Sequence, residues 1–251
     1  MSRRVPLRGA RTAIAGTAVT GTAIARTAIA LAMLGPAALR AQVGYPPARS
    51  PFEDLEFRQQ ITLLGGYYRA AADPVGVAPQ GGPMIGVQYD LGFGGPAIIT
   101  TRVRTVRSER MAIDPVRPAE RRVLGTEQRP LTLADVGLTL ALTGNRSYRN
   151  LVPLVHLGAG VASNFQGADP GGFTFGTSFA MAYGLGARYV RPGSRWSLRA
   201  DLGNTLYRVR YPQTYSALAV DSTRVLPADA RLTRWLNNTA ITAGLSYQFR
   251  R

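Results

Sequence analysis

The sequence predicts an all-β protein, an eight-stranded antiparallel up-and-down transmembrane β-barrel, on three observations. Eight segments alternate apolar with small or polar residues, the pattern of side chains that point to opposite faces of a strand. The connectors between them are long and short in turn, as in barrels whose loops face one compartment and whose tight turns face the other. The less apolar face is dominated by Gly, Ala, Ser and Thr. Such residues suit the crowded interior of a narrow barrel, and the rows of Leu, Val, Phe and Tyr opposite them suit lipid.

The chain of 251 residues carries 28 Gly and 17 Pro, a turn-rich composition. Beyond its N-terminal region no apolar run approaches the roughly 20 residues of a helical span. There is no Cys, which excludes disulfides, thiolate metal ligands, a Cys nucleophile and a lipid-modified N-terminal Cys. Every basic side chain is Arg.

Residues 1–51 contain Arg3, Arg4, Arg8, Arg11, Arg26, Arg40 and Arg49 and no acid, with an apolar run from Ala28 to Leu39 and then Arg40-Ala41-Gln42. This is the layout of a secretory signal peptide cleaved after Ala41. Its removal takes six Arg and lowers the formal charge from +16 to +10. Ser2-Arg3-Arg4-Val5-Pro6-Leu7-Arg8 loosely resembles a twin-arginine export signal, although Pro6 stands where a large apolar residue is usual. An acid-free leader rich in Arg and Thr also fits a mitochondrial presequence, against which the compact Ala28–Leu39 core speaks. Arg26, Gly35 and Pro36 disfavour a retained anchor. The expected organisation is a cleaved signal over 1–41, an extended lead-in over 42–54 and a barrel over 55–251.

Taken in order, the first segment, Phe57 to Tyr68, puts Phe57, Ile61, Leu63 and Tyr67 on one face. Met84 to Leu91 sets Ile85, Val87 and Tyr89 against Gly86, Gln88 and Asp90, and Ala97 to Thr105 sets Ile99, Thr101 and Val103 against Thr100, Arg102 and Arg104. Leu131 to Leu142 carries Val136, Leu138 and Leu140 opposite Asp135, Gly137 and Thr139; Leu151 to Ser163 carries Val155, Leu157 and Val161 opposite His156, Gly158 and Gly160. The sixth, Phe173 to Tyr189, alternates Phe173, Phe175, Phe179, Met181, Tyr183 and Leu185 with Gly176, Ser178, Ala180, Ala182, Gly184 and Gly186. Trp196 to Val209 and Trp235 to Phe249 close the series. Gly95-Pro96, Gly144-Asn145 and Pro192-Gly193 supply the short turns, while 69–83, 106–130, 164–172 and 210–234 are the longer loops. With the N-terminus inside, the even count returns the C-terminus to the periplasm.

A soluble barrel of the lipocalin type would turn its apolar set inward. Bulky residues opposite a Gly/Ala/Ser/Thr face favour the membrane form, as do aromatics near strand ends at Tyr67, Tyr89, Phe173, Tyr189, Trp196, Trp235, Tyr247 and Phe249, the places of two interfacial girdles. Leu245, Tyr247 and Phe249, with alternate apolar residues back to Ile241, resemble the C-terminal assembly signal of bacterial outer-membrane proteins, although Arg250 and Arg251 follow where that pattern usually ends the chain. From about Phe57 to Phe249 the chain resembles the small eight-stranded outer-membrane barrels of the OmpA, OmpX and opacity-protein type. The resemblance implies a bacterial outer-membrane location in a Gram-negative cell envelope, contact with outer-membrane lipid and lipopolysaccharide, and recognition by the assembly machinery. It also implies a structural or surface-interaction role without cofactor or catalytic residues, and a monomer.

Charged residues on the small-residue face are the candidate site. Asp90, Arg102, Arg104, Asp135, His156, Arg188, Arg199 and Asp201 all map inward, and a narrow lumen demands that they pair. Arg104 is expected to meet Asp135, and Arg188 to meet Asp201. A charged pore constriction is the alternative. His156, the only histidine, would be central to a lipid-modifying enzyme, but its neighbours Leu157 and Gly158 offer no catalytic partner. The loop residues Arg107, Arg110, Arg117, Arg121, Arg122, Arg129, Arg224 and Arg231 are candidates for contact with anionic phosphate. Nucleic acid is not expected as a partner, because the charge lies on loops of an exported barrel with no binding motif. Gly158-Ala159-Gly160 and Gly184-Leu185-Gly186 lack the third glycine of a dinucleotide loop and are expected to pack the lumen.

Overall fold

A computed structural model describes residues 50–55, 58–165, 167–169 and 171–249. The expected signal peptide, most of the lead-in, Phe57, Arg250 and Arg251 lie outside them. Twelve strands form among the described residues: β1 (Phe52–Asp54), β2 (Gln59–Arg69), β3 (Gly82–Gly94), β4 (Ala97–Val106), β5 (Glu109–Ile113), β6 (Val123–Gln128), β7 (Leu131–Ala141), β8 (Arg146–Tyr148), β9 (Leu151–Ser163), β10 (Thr177–Val190), β11 (Trp196–Arg210) and β12 (Thr233–Phe249). Eight of them close on themselves in the order β9-β10-β11-β12-β2-β3-β4-β7, with β7 returning to β9. All neighbours are antiparallel. The fold is therefore an eight-stranded antiparallel barrel.

One row of paired residues circles the wall through Gln59, Leu91, Ile99, Leu138, Leu157, Tyr183, Asn204 and Thr239, and rejoins β2 at Arg69, a stagger of ten residues. With eight strands this implies a tilt of about 40° and a lumen just wide enough for side chains to fill.

The apolar set faces out. Leu63, Ile85 and Ile241 are 64%, 67% and 65% exposed, while their alternates Thr62, Gln88 and Thr242 are buried. A soluble barrel would have the reverse. Phe93, Tyr189, Trp196, Tyr247 and Phe249 lie towards one rim and Tyr67, Phe179 and Trp235 towards the other. Between the rims the apolar band is about 25 Å tall at ~3.3 Å per tilted residue.

Three parts of the chain differ from the sequence expectation. The sixth strand begins at Thr177, not Phe173. Gly172 (φ +79°) and Gly176 (φ +59°) hold left-handed backbone conformations that an extended strand does not contain. Phe173 and Phe175 are thereby turned inward and buried, so Phe173 belongs to no lipid-facing girdle. The 106–130 loop is partly ordered as the β5–β6 hairpin. Finally, the lead-in is not merely extended: Phe52–Asp54 pairs with β8, and Leu55 N–H donates to Asn145 O at 2.7 Å.

Candidate functional site: the filled lumen and its cap

Outward bulk requires inward smallness, and the space left by Gly and Ala is where the charged side chains fit. A Cβ on Gly186 would land on the Asp201 carboxylate, and one on Gly158 would sit 3.0 Å from His156 Nε2. The Gly-x-Gly pairs lie within β9 and β10.

At mid-lumen the side chains form two linked groups. Asp135 on β7 accepts from Arg102 (Nε 2.9 Å, Nη2 2.7 Å) and from Arg104 (Nη2 2.8 Å), both on β4. His156 Nε2 stands 3.3 Å from the same carboxylate, and its Nδ1 is 3.0 Å from Thr139 Oγ1. Thr139 in turn shares a 2.7 Å hydrogen bond with Thr100, which donates to Asp90 at 2.6 Å. Asp90 also accepts from Gln60 (2.6 Å), Gln88 (2.8 Å) and, across the lumen, Arg199 Nη1 (3.0 Å). The structure thus brings all eight predicted lumen residues into one chain of contacts, with Arg104 on Asp135 as expected.

Arg188 corrects the other expected pair. Asp201 is taken by Arg199, two residues along the same strand (2.8 Å), and Arg188 lies directly opposite Arg199. Its Nη1 donates instead to Gln60 Oε1 at 2.7 Å. The Thr139–His156–Asp135 order resembles a catalytic triad, but Thr139 is wholly buried and its oxygen is already engaged by Thr100. No space remains there for an acyl substrate.

Below this network, towards the inner rim, a cavity of about 230 Å³ is lined by Leu55, Gln60, Asp90, Asn145 and Arg188 among others. Above it lies an apolar plug that the sequence reading missed. Tyr68, Met84, Val106, Leu131, Leu133, Tyr207 and Leu236 from the strands meet Val75, Val77, Phe173, Phe175, Tyr211, Tyr215 and Leu226 from three loops. The Phe173 ring lies 6.4 Å from Tyr211 and 6.5 Å from Tyr215.

Polar clamps hold that cap. Asp73 accepts from Ala78 N–H at 2.8 Å and from the Tyr211 hydroxyl. Burial, then Asp73, pushes the Tyr211 phenol above its ordinary pKa; burial, then Asp169, does the same to Tyr215. Arg110 is buried at 1% exposure and forks onto Asp169, with Nη1 at 2.6 Å from Oδ2. Its guanidinium carbon sits 5.5 Å from the Phe173 ring centroid.

Arg110 is therefore a cap residue rather than an anion contact. Among the other loop candidates, Arg117 pairs with Asp114 (3.0 Å) and Arg129 with Glu127 (2.6 Å). Arg122 donates to Thr223 Oγ1 at 2.5 Å and to Arg224 O at 3.2 Å. Arg107, Arg121, Arg224 and Arg231 are exposed. Asp221 joins the β5–β6 hairpin to the last loop, accepting from Thr223 Oγ1 (2.6 Å) and Ala119 N–H (2.8 Å). The Thr223 hydroxyl first, then the Ala119 N–H, lowers its pKa to about 2.

A depressed carboxylate pKa stabilises the joint above the ordinary value of about 3.9, and that contribution fades as pH falls towards the folded value. The protection of the Ala119 amide against exchange in micelles, measured relative to the intrinsic rate at each pH, is accordingly expected to fall between about pH 4 and about pH 2, and to lose that dependence in Asp221→Asn. Protection unchanged by acid in the wild type would contradict the clamp. Among the described residues, no group of three or more His, Cys, Asp or Glu could hold a metal ion.

No protein-family model matches the chain, and no curated protein does. Solved structures similar to it include the outer membrane protein OprG from Pseudomonas aeruginosa, at 12% identity and a TM-score of 0.46 over 79% of this chain and 99% of that one. Neisserial surface protein A is 10% identical with a TM-score of 0.43, covering 76% of this chain and 97% of its own. A major outer membrane protein from Thermus thermophilus is 13% identical with a TM-score of 0.36, covering 76% and 98%.

Proposed function

We propose that this chain is an integral barrel of a bacterial outer membrane whose role is structural and surface-directed, not conductive. The observation that carries this reading is the combination of an apolar outer wall with a lumen filled at two levels. Arg102, Arg104 and Arg199 pair with Asp135, Asp90 and Asp201 at mid-lumen, and the loop-borne apolar plug covers the outer mouth. A closed ring with lipid-facing apolar rows is one of the two ways a backbone can cross a bilayer with its hydrogen bonds satisfied.

In this reading residues 1–41 direct export and are removed. Leu245, Tyr247 and Phe249, on the strand that closes the ring against β2, are read by the assembly machinery. The mature protein is a monomer. Its exposed loop residues Arg107, Arg121, Arg224 and Arg231 meet anionic groups at the cell surface, either lipopolysaccharide phosphates or an adhesion partner.

The protein is expected to stay with membranes after carbonate washing, to show heat-modifiable gel mobility, and to leave a planar bilayer silent when refolded and inserted. Discrete conductance steps from pure protein would support a small channel instead and overturn the filled-lumen reading; release by carbonate would remove the membrane assignment altogether.

A further inference from the structure

The outer wall of β10, β11 and β12 carries a feature that the lipid-facing pattern does not explain. On β11, Thr205, Tyr207 and Val209 are buried, so their alternates Leu206, Arg208 and Arg210 face outward. Arg208 is directly opposite Trp235, and Arg210 opposite Thr233. On the other side Ala180 is opposite Tyr207, which places Phe179 beside Arg208. A row of aromatic, guanidinium and aromatic therefore crosses three strands at the outer rim. It borders a cleft of about 480 Å³ lined by Thr174–Phe179, Arg208, Arg210 and Trp235.

Neither arginine has an ion-pair partner among the described residues. No acid occurs in 174–179, 206–210 or 233–237. That distinguishes them from Arg117, Arg122 and Arg129, which face the loop carboxylates of Asp114, Asp221 (4.0 Å) and Glu127. An outward Arg is tolerated on a barrel wall only near the interface. At that depth the partner available to a two-pronged guanidinium is a headgroup phosphate.

We propose that this cleft seats the phosphate-bearing head of an outer-leaflet glycolipid. Arg208 and Arg210 hold one phosphate, and Phe179 and Trp235 lie against the sugar and the first methylenes. The inference rests on the outer-membrane reading and deepens it by moving lipid recognition from the loops to a fixed position on the wall. Residues on paired strands are better ordered for such recognition than loop tips.

Trp196→Phe leaves Trp235 as the sole tryptophan, since the chain has two. Refolded protein in zwitterionic micelles would be titrated with bisphosphorylated lipid A, with its dephosphorylated form and with inorganic phosphate, reading Trp235 emission. Only the bisphosphorylated lipid is expected to give a saturable shift, and Arg208→Ala with Arg210→Ala should weaken it about tenfold or more. The double Lys variant should fall between the two.

Heat-modifiable mobility shows that each variant is folded, and a double Gln variant serves if the double Ala variant is not. Equal shifts with the dephosphorylated lipid, saturation by inorganic phosphate alone, or unchanged affinity in a folded double variant would each overturn the proposal. If Arg121→Ala with Arg231→Ala weakens binding while the wall variants do not, the wall site fails and the loop reading stands. A protein that carbonate releases from membranes fails at the earlier step.

Discussion

Asp135→Leu is expected to lower the stability of the refolded barrel by about 3–5 kcal/mol, the usual cost of leaving a buried ion pair with one partner. Asp135 accepts three hydrogen bonds from Arg102 and Arg104, and the side chains concerned are each under 10% exposed. Without the carboxylate two guanidinium groups share a narrow interior with no counter-charge on β7, and neither can lose its proton cheaply.

The triple variant Arg102→Met, Arg104→Met, Asp135→Leu is the informative control, because replacing a whole buried ionic group with apolar volume is often neutral or stabilising. Urea titration read by the folded and unfolded gel bands measures both. A loss below about 1 kcal/mol in the single variant would mean that water, rather than Asp135, stabilises the two arginines.

Arg110→Leu is expected to act on the cap alone. Arg110 and Asp169 are buried together and connect the β5–β6 hairpin to the segment that carries Phe173. Breaking that pair leaves a carboxylate among Phe173, Tyr215 and their neighbours, at a cost of about 3–5 kcal/mol to cap closure. Trypsin should then cut within 107–123, where Arg107, Arg121 and Arg122 provide sites that no proline follows, while the barrel core resists because its strand pairing does not depend on the loops. Adding Asp169→Leu should restore resistance. Cleavage at the same rate in wild type and in Arg110→Leu would show that the cap opens without breaking this pair.

The barrel was legible because its signal is local. One residue in two along Leu151–Ser163 declares the face it occupies, and that strand appears with the same ends in the structure. The Arg104–Asp135 contact was legible as well, since β4 and β7 are consecutive in the ring. The Asp90–Arg199 contact was not. It joins β3 to β11 across the lumen, and it needs the barrel's diameter, which no periodicity states.

Phe173 and Phe175 failed for a different reason. Their period-two pattern continues that of β10 by coincidence, and the only warning was the glycine at each end, Gly172 and Gly176. Loop residues such as Asp73 and Asp169 have no period at all, so their role as cap anchors could emerge only from coordinates. Arg208 was hidden by its own regularity: it continues the outward face of β11 beyond the apolar band, whereas Arg210 reads from sequence as a residue of the last loop, and the structure places it at the end of the same strand.

The pairing of β12 with β2 joins residues 239–249 to residues 59–69. That seam makes the most C-terminal strand of the ring indispensable to its most N-terminal one. Until Phe249 is in place the sheet keeps two open edges and an apolar face, the state most prone to stick to its own kind. Closure across so long a stretch of chain also carries the loop entropy that makes non-local β-structure slow to assemble. The chain should therefore be a poor spontaneous folder in water and aggregate unless ring closure is completed in a bilayer or micelle, however inert the finished barrel is.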